Sequence, residues 1–276
     1  MSVTFRMILS FCMLLSPGLN EASAQMVSNE ISSAMSGRIP DEQSTKKISI
    51  VIDDFGNRMV GTEAILALPI PLTVAVMPFL RSSKEDAEGA HRRGHEVIIH
   101  MPMEPNYGKK EWLGPGALTT DLDDAEIRKR VEAAIANIPH AVGMNNHMGS
   151  KVTADRRIMA IVMEVCREHG LFYLDSRTTY KSVIPEVAAA YHVPVLSNKL
   201  FLDDRYTQGH IQGQLGLLMQ HLQEDQDVIA IGHVGPSGKN VASTLRQWSS
   251  EVKNKADFVT ASQLISPEER ELQILP

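Results

Sequence analysis

Cysteine is scarce in this chain, with two in 276 residues. Cys12 lies in an N-terminal apolar run and Cys166 in an apolar helical pattern, so removing the N-terminus leaves no internal disulfide to form. Cys166 reads as a small core residue, and a thiol-dependent mechanism has no support. Aromatic residues make up only 5% of the sequence. There is no basic excess: 27 Lys and Arg stand against 33 Asp and Glu, for a formal net charge of −6. That balance, with no long run of like charge, argues against a nucleic-acid partner. No GxGxxG turn, P-loop, internal repeat or low-complexity tract is present, which removes support for a nucleotide-binding doubly wound sheet. No apolar run is long enough for a stable bilayer anchor.

The N-terminus carries a targeting pattern. Arg6 supplies a positive charge, Met7 to Leu15 an apolar segment of signal-peptide length, and Ala22-Ser23-Ala24 a small-x-small cleavage site. Residues 1–24 are therefore expected to be a signal peptide, with a mature start at Gln25 and a periplasmic or secreted destination. Phe11 is too bulky for the position before a lipoprotein cysteine. Residues 25–47, rich in Ser, Glu and Gln, read as a flexible leader. The domain is expected over 48–266, followed by a tail over 267–276.

From Ile48 the chain alternates short β-branched runs with helical periodicities. Strands are expected at Ile48–Ile52, Leu72–Met77, Glu96–Ile99, around Val142–Met144, and at Leu171–Leu174, Val193–Leu196, Val228–Ile231 and Phe258–Thr260. Helices are expected between them, the clearest starting at Asp121, at Asp155 and near Gln208. Met101 to Thr120, with several Pro and Gly and Trp112, reads as a long loop that walls a site. Seven or eight βα units predict a single α/β domain built as an irregular parallel (β/α)7-type barrel.

The polar residues fall in a pattern on that frame. Asp53 and Asp54, His100, His147, Asp175 and His233 each follow an expected strand, and such strand ends open on one face of a parallel barrel. Each alone has a structural reading. His100 could satisfy a loop carbonyl, His147 cap a helix, Asp175 hold Arg177, and His233 pack in the core. Together they suggest a site, because adjacent carboxylates in a desolvated place need a positive partner. His91, His95, His140, His169, His192, His210 and His221 fall in helices, helix ends or turns and are expected at the surface. One Asp with two neutral imidazoles makes a donor set suited to zinc or a similar divalent ion. The other Asp could act as general base and a histidine across the site as general acid, the apparatus of metal-assisted amide or ester hydrolysis.

These residues resemble a family. Ile52-Asp53-Asp54-Phe55-Gly56, His100-Met101-Pro102-Met103-Glu104-Pro105, Asn145-Asn146-His147-Met148-Gly149-Ser150, Asp175-Ser176-Arg177-Thr178 and Gly232-His233 are similar to the divergent, exported bacterial branch of the polysaccharide deacetylases, over Ile48 to Leu264. The resemblance implies an irregular (β/α)7 barrel and metal-dependent removal of N- or O-acetyl groups from a carbohydrate, here an envelope or extracellular glycan. By it Asp53 matches the general base, Asp54 the metal-binding Asp, His100 the first metal histidine and His233 the general acid. The sequence also departs from the family pattern. Glu104 stands where a second metal histidine is usual, between Pro102 and Pro105, and the Arg-x-Pro-x-Gly motif is absent, with the Asn145-Asn146-His147 run in its place. His147 is therefore favoured as third ligand. Glu104, Asn145, Asn146, Asp175, Arg177 and Trp112 are expected around it or on the substrate, Trp112 as a sugar-stacking face or as loop packing.

Two other readings stay open. The barrel could serve as a binding or structural component of the envelope. A phosphoesterase would instead use Lys151, Arg177 and Lys199 as phosphate clamps.

Overall fold

A computed structural model describes residues 46–269. The expected signal peptide, the leader up to Thr45 and the tail from Arg270 lie outside the described residues. The strands are β1 (Lys47–Phe55), β2 (Thr73–Val76), β3 (Glu96–Met103), β4 (Ala141–Met148), β5 (Phe172–Asp175), β6 (Val195–Ser197), β7 (Leu200–Phe201), β8 (Asp227–His233) and β9 (Asp257–Val259). They form one curled, all-parallel sheet in the order β6-β5-β4-β3-β2-β1-β8-β7, with β9 added beside the start of β1. The ladder opens between β6 and β7, which are two halves of one extended run. There Asn198 N–H bonds to Asp175 in β5 and the next residue, Lys199, bonds to Ile229 in β8. This is the expected α/β architecture, a half-barrel of βα units.

Strands β1, β2, β3, β5 and most of β8 are buried on both faces, and side chains alternate between two apolar environments. Ile48, Ile50, Ile52, Val74, Val76, Val97, Ile99, Met144 and Tyr173 pack outward against the helices. Val51, Ala75, Ile98, Phe172, Leu174, Ile229 and Ile231 pack inside the curl. Near the C-terminal ends the inner row changes from aliphatic to polar, because Asp53, His100, Asn145, His147 and His233 continue it.

The helices are α1 (Thr62–Leu66), α2 (Ser83–Arg92), α3 (Asp124–Asn137), α4 (Arg156–Glu168), α5 (Ile184–Ala190), α6 (Gln208–Glu224) and α7 (Gly238–Val252). Their starts follow capping chemistry. Asp123 accepts from Glu126 N at the head of α3, Asp155 from Arg157 and Ile158 N at α4, and Thr207 from His210 N at α6. The helix expected from Asp121 thus begins at Asp124, since the Asp123 carboxylate is the group that caps it. Strands β3 and β4 run further than expected, to Met103 and Met148, so that His100, Asn145 and His147 are strand residues held by ladder bonds. His95, expected at the surface, is buried at 5% exposure with Nε2 3.0 Å from the Leu66 carbonyl oxygen.

The start of α7 is wedged against the turn before α1. A Cβ on Gly238 would lie 2.2 Å from the Val60 carbonyl oxygen, closer than any real contact. Gly238→Ala must push α7 off this turn, at a cost of about 1–3 kcal/mol. A thermal melt of this variant is expected to fall by about 2–12 °C.

Candidate metal centre

The centre begins at a break in β1. Adjacent strand residues point to opposite faces, so Asp53 and Asp54 cannot both face inward in a regular strand. The ladder with β2 shifts register between Ile52 and Phe55, and Asp54 takes φ 69°. This bulge turns Asp54 to the side that Asp53 already faces. Gly56 (φ 119°) completes the turn, and its N–H donates to the buried Asp86 carboxylate at 2.8 Å. Both Asp carboxylates then meet His100, which β3 presents from the neighbouring wall.

Three ligand atoms converge. Asp54 Oδ1 lies 3.3 Å from His100 Nε2 and 3.0 Å from His147 Nδ1, and those two nitrogens are 3.1 Å apart. Donor atoms bonded at 2.0–2.1 Å around one tetrahedral ion are about 3.3 Å apart, so the triangle matches a single divalent cation. The opposite nitrogen of each imidazole is already committed. His147 Nε2 is 3.0 Å from the Trp112 carbonyl oxygen, which can only accept, so this nitrogen carries the proton. His100 Nδ1 is 2.7 Å from Asn145 Oδ1. The Asn145 amide N–H₂ faces Asp53 Oδ1 at 2.9 Å, so Asn145 turns its oxygen toward His100 and Nδ1 is the donor. In its neutral form each imidazole would therefore aim a lone pair inward at a carboxylate oxygen, Asp54 Oδ1, that is buried without a hydrogen-bond donor. Three acceptors face one point. Such a set fits a cation.

Protons compete for the same place. Burial would raise the Asp54 carboxyl, yet its contacts with His100 and His147 hold it well below the usual carboxylate range. Burial would lower His100, but the charges of Asp53 and Asp54 outweigh it and push the imidazole up. Asp53 moves the other way from Asp54. Its desolvation exceeds the pull of His100, His233 and the Asn145 bond, and its pKa is raised.

Opposite the triangle stands His233 at the end of β8. Its Nδ1 is 2.8 Å from Asp203 Oδ1, and its backbone N–H donates to Asp203 Oδ2 at 3.0 Å. Ser237 Oγ donates to the same oxygen, and the Phe201 ring flanks the imidazole with centroids 5.9 Å apart. Burial would lower the His233 pKa, but Asp203, with help from Asp54 and Asp53, pushes it up to about 9. Sequence reasoning gave Asp203 no role. Its inward parity with Phe201 was the available signal.

The remaining expected residues sit elsewhere. Asp175 is one residue out of phase with Phe172 and Leu174 and faces away from the triangle. It accepts from Arg177 N–H at 2.8 Å and Ser182 Oγ at 2.8 Å, with the Arg177 guanidinium 3.9 Å away. Asn146, also out of phase, accepts from Ser176 N–H and donates to the Met148 carbonyl oxygen. Glu104 staples the long loop, accepting from Thr120 N–H and Oγ and pairing with Lys151 at 2.7 Å. Lys199 pairs with Asp225, so two of the three phosphate clamps considered are engaged elsewhere. Trp112 contributes its carbonyl to His147, while its side chain is 58% exposed.

A family model described as divergent polysaccharide deacetylase matches residues 50–265. The chain belongs to this family. Within its reach are two curated relatives of 36% identity. One is an uncharacterized Escherichia coli protein, YibQ, aligned over 80% of this chain and 67% of that one. The other is an uncharacterized Haemophilus influenzae protein, with 69% and 68% covered. The crystal structure of an uncharacterized Agrobacterium tumefaciens protein, ATU2773, superposes with a TM-score of 0.75 at 22% identity, over 83% of this chain and 92% of that chain. That likeness shares the fold. In this member of the divergent deacetylases the Asn145-Asn146-His147 run sends alternate side chains inward, and the residue between them anchors the next strand.

A cation entering the triangle must displace the protons held there. Titrating a divalent ion into the purified protein should release protons. Because His100 is raised, affinity should fall as pH drops through its pKa. Calorimetry in buffers of different ionisation enthalpy measures both. Asp54→Ala is expected to abolish the binding.

Proposed function

We propose that this protein is an exported, metal-dependent hydrolase of the deacetylase type, acting in the periplasm or outside the cell. It removes acetyl groups from an envelope or extracellular carbohydrate. The observation that carries this reading is the convergence of Asp54, His100 and His147 with both imidazole tautomers set from outside. An N₂O donor set of this kind suits zinc and leaves room for water and substrate. Bound there, the ion would polarise the acyl carbonyl and lower the pKa of a water beside it.

The chain's own residues supply the proton transfers. Asp53, with its raised pKa, takes a proton from the attacking water. That water adds to the carbonyl carbon, and the bond from carbon to the sugar nitrogen or oxygen breaks. His233, held protonated by Asp203, gives its proton to the departing atom. Acetate and a free amino or hydroxyl group result.

The exposed aromatics support a carbohydrate. Among the described residues Phe79, Tyr107, Trp112, Tyr180 and Tyr206 are the exposed aromatic side chains. All five lie in loops that follow strand C-terminal ends, on the face that carries the triangle. Flat rings with polar edges, left in solvent around a polar centre, are what sugar faces stack on.

Acetate release from acetylated glycan oligomers by the zinc-loaded protein tests the activity. Asp53→Asn and His233→Ala should each lower kcat by about 10²–10⁴, His233→Ala while retaining the metal. Failure of the wild type to bind any divalent ion would remove the hydrolase reading and leave a binding role for the barrel. Activity requires Asp53 ionised and His233 protonated, so kcat/KM should rise through the first titration and fall through the second. The second lies no higher than about 9, since a bound cation can only draw the His233 pKa down. Asp203→Asn removes the carboxylate that raises His233 and should move the alkaline limb to lower pH.

A further inference from the structure

Asn145 is wholly buried in the centre of the sheet, paired in register with His100 on one side and Leu174 on the other. A buried amide is costly unless both of its ends are bonded. Here both are bonded, and to groups of different kinds. The N–H₂ end meets the Asp53 carboxylate at 2.9 Å, and the oxygen meets His100 Nδ1 at 2.7 Å. Packing alone would be met by an apolar side chain of the same size, so the amide has another use.

With Asp53 ionised, its orientation has one solution. Turned over, it would set an amide oxygen against a carboxylate oxygen at Asp53. It would also present N–H to His100 Nδ1, which would then have to accept. His100 would carry its proton on Nε2, pointing at Asp54 and His147, and the cation would be shut out. Asp53 therefore decides how Asn145 lies, and Asn145 decides which His100 nitrogen is bare.

We propose that Asn145 is a positioning residue whose amide, clamped by Asp53, forces His100 into the tautomer that turns a bare Nε2 toward Asp54 and His147. It links the residue proposed to take the proton to a residue proposed to hold the metal, by two hydrogen bonds and without a charge of its own. The consequence for catalysis rests on the metal-hydrolase reading, whereas the tautomer itself does not.

The test is the ¹⁵N shift pattern of the His100 ring in the purified protein, with affinity for zinc measured beside it. Above the pH at which the ring has lost its second proton, wild type should show a proton on Nδ1 and a bare Nε2. Asn145→Ala removes both bonds and should give mixed tautomers and a 10- to 100-fold weaker zinc affinity. Asn145→Asp keeps an oxygen facing His100, with the new carboxyl sharing a proton with Asp53. The Nδ1–H form should persist, with affinity within about threefold of wild type. Asp53→Asn frees the amide to turn and should bring in the other tautomer without touching a ligand atom. A folded Asn145→Ala that retains both the tautomer and the affinity overturns the proposal. So does an Asn145→Asp that loses as much as Asn145→Ala. Should Asn145→Ala not fold, Asp53→Asn decides, and an unchanged tautomer there overturns it. A wild type that takes up no zinc would sink the hydrolase reading while the ring shifts still report on the relay.

Discussion

A strand cannot point two consecutive side chains to one side without breaking its pleat, and the centre of this protein depends on one such break. The bulge at Asp53 and Asp54, with Asp54 in left-handed backbone, brings both carboxylates to the inner side of β1. On the other strands His100, Asn145 and His147 lie past the register shift between Val97 and Ile99, in the regular stretch of the β3–β4 ladder. His233 ends an unbroken ladder with β1, so these side chains reach the centre by parity. The irregular element supplies negative charge, and the regular ones supply the groups that answer it. Bulges beside functional sites are common because they re-aim one side chain while the sheet stays intact.

The electrostatics follow from that arrangement. Two carboxylates this close and this buried cannot both be ionised at ordinary cost. The structure treats them differently. Asp54 is surrounded by two imidazoles and is held down, whereas Asp53 has only an amide bond and more distant charges against full burial and is raised. One carboxylate is set up to stay charged, as the proposed ligand, and the other to exchange its proton above the usual carboxylate range. A guanidinium in place of the Asn145 amide would have lowered Asp53 as well. The neutral amide leaves it available as a base.

The fold and most of the centre were legible in the sequence because parallel strands announce themselves as β-branched runs, and polar residues at their ends stand out. The choice of His147 over Glu104 followed from the prolines around Glu104 and from the Asn-Asn-His run, and the His147 side chain does converge with Asp54 and His100. What could not be read was phase. Asp175 looked like a rim carboxylate, yet Phe172 and Leu174 point inward and so Asp175 points out, to Arg177 and Ser182. Asp203 was passed over because β7 is too short for its alternation to be seen. The loop residues were beyond reach for a different reason. That a backbone carbonyl of Trp112 orients His147, or that Glu104 closes its loop onto Lys151 and Thr120, depends on backbone positions that no side-chain pattern encodes.

The two residues proposed to transfer protons illustrate how far environment outweighs residue type. Burial alone would discharge both, turning Asp53 into a neutral acid and His233 into a neutral base, the reverse of the roles the chemistry requires. For His233 a single buried carboxylate, Asp203, reverses the outcome, and two further donors, the His233 backbone N–H and Ser237 Oγ, hold that carboxylate in place. For Asp53 the contacts offset burial only in part, and its pKa stays raised. In the proposed reaction, an acid kept charged by one strong partner faces a base whose burial is only partly offset, and the pair needs no conformational change to pass protons in opposite directions across the same acyl group.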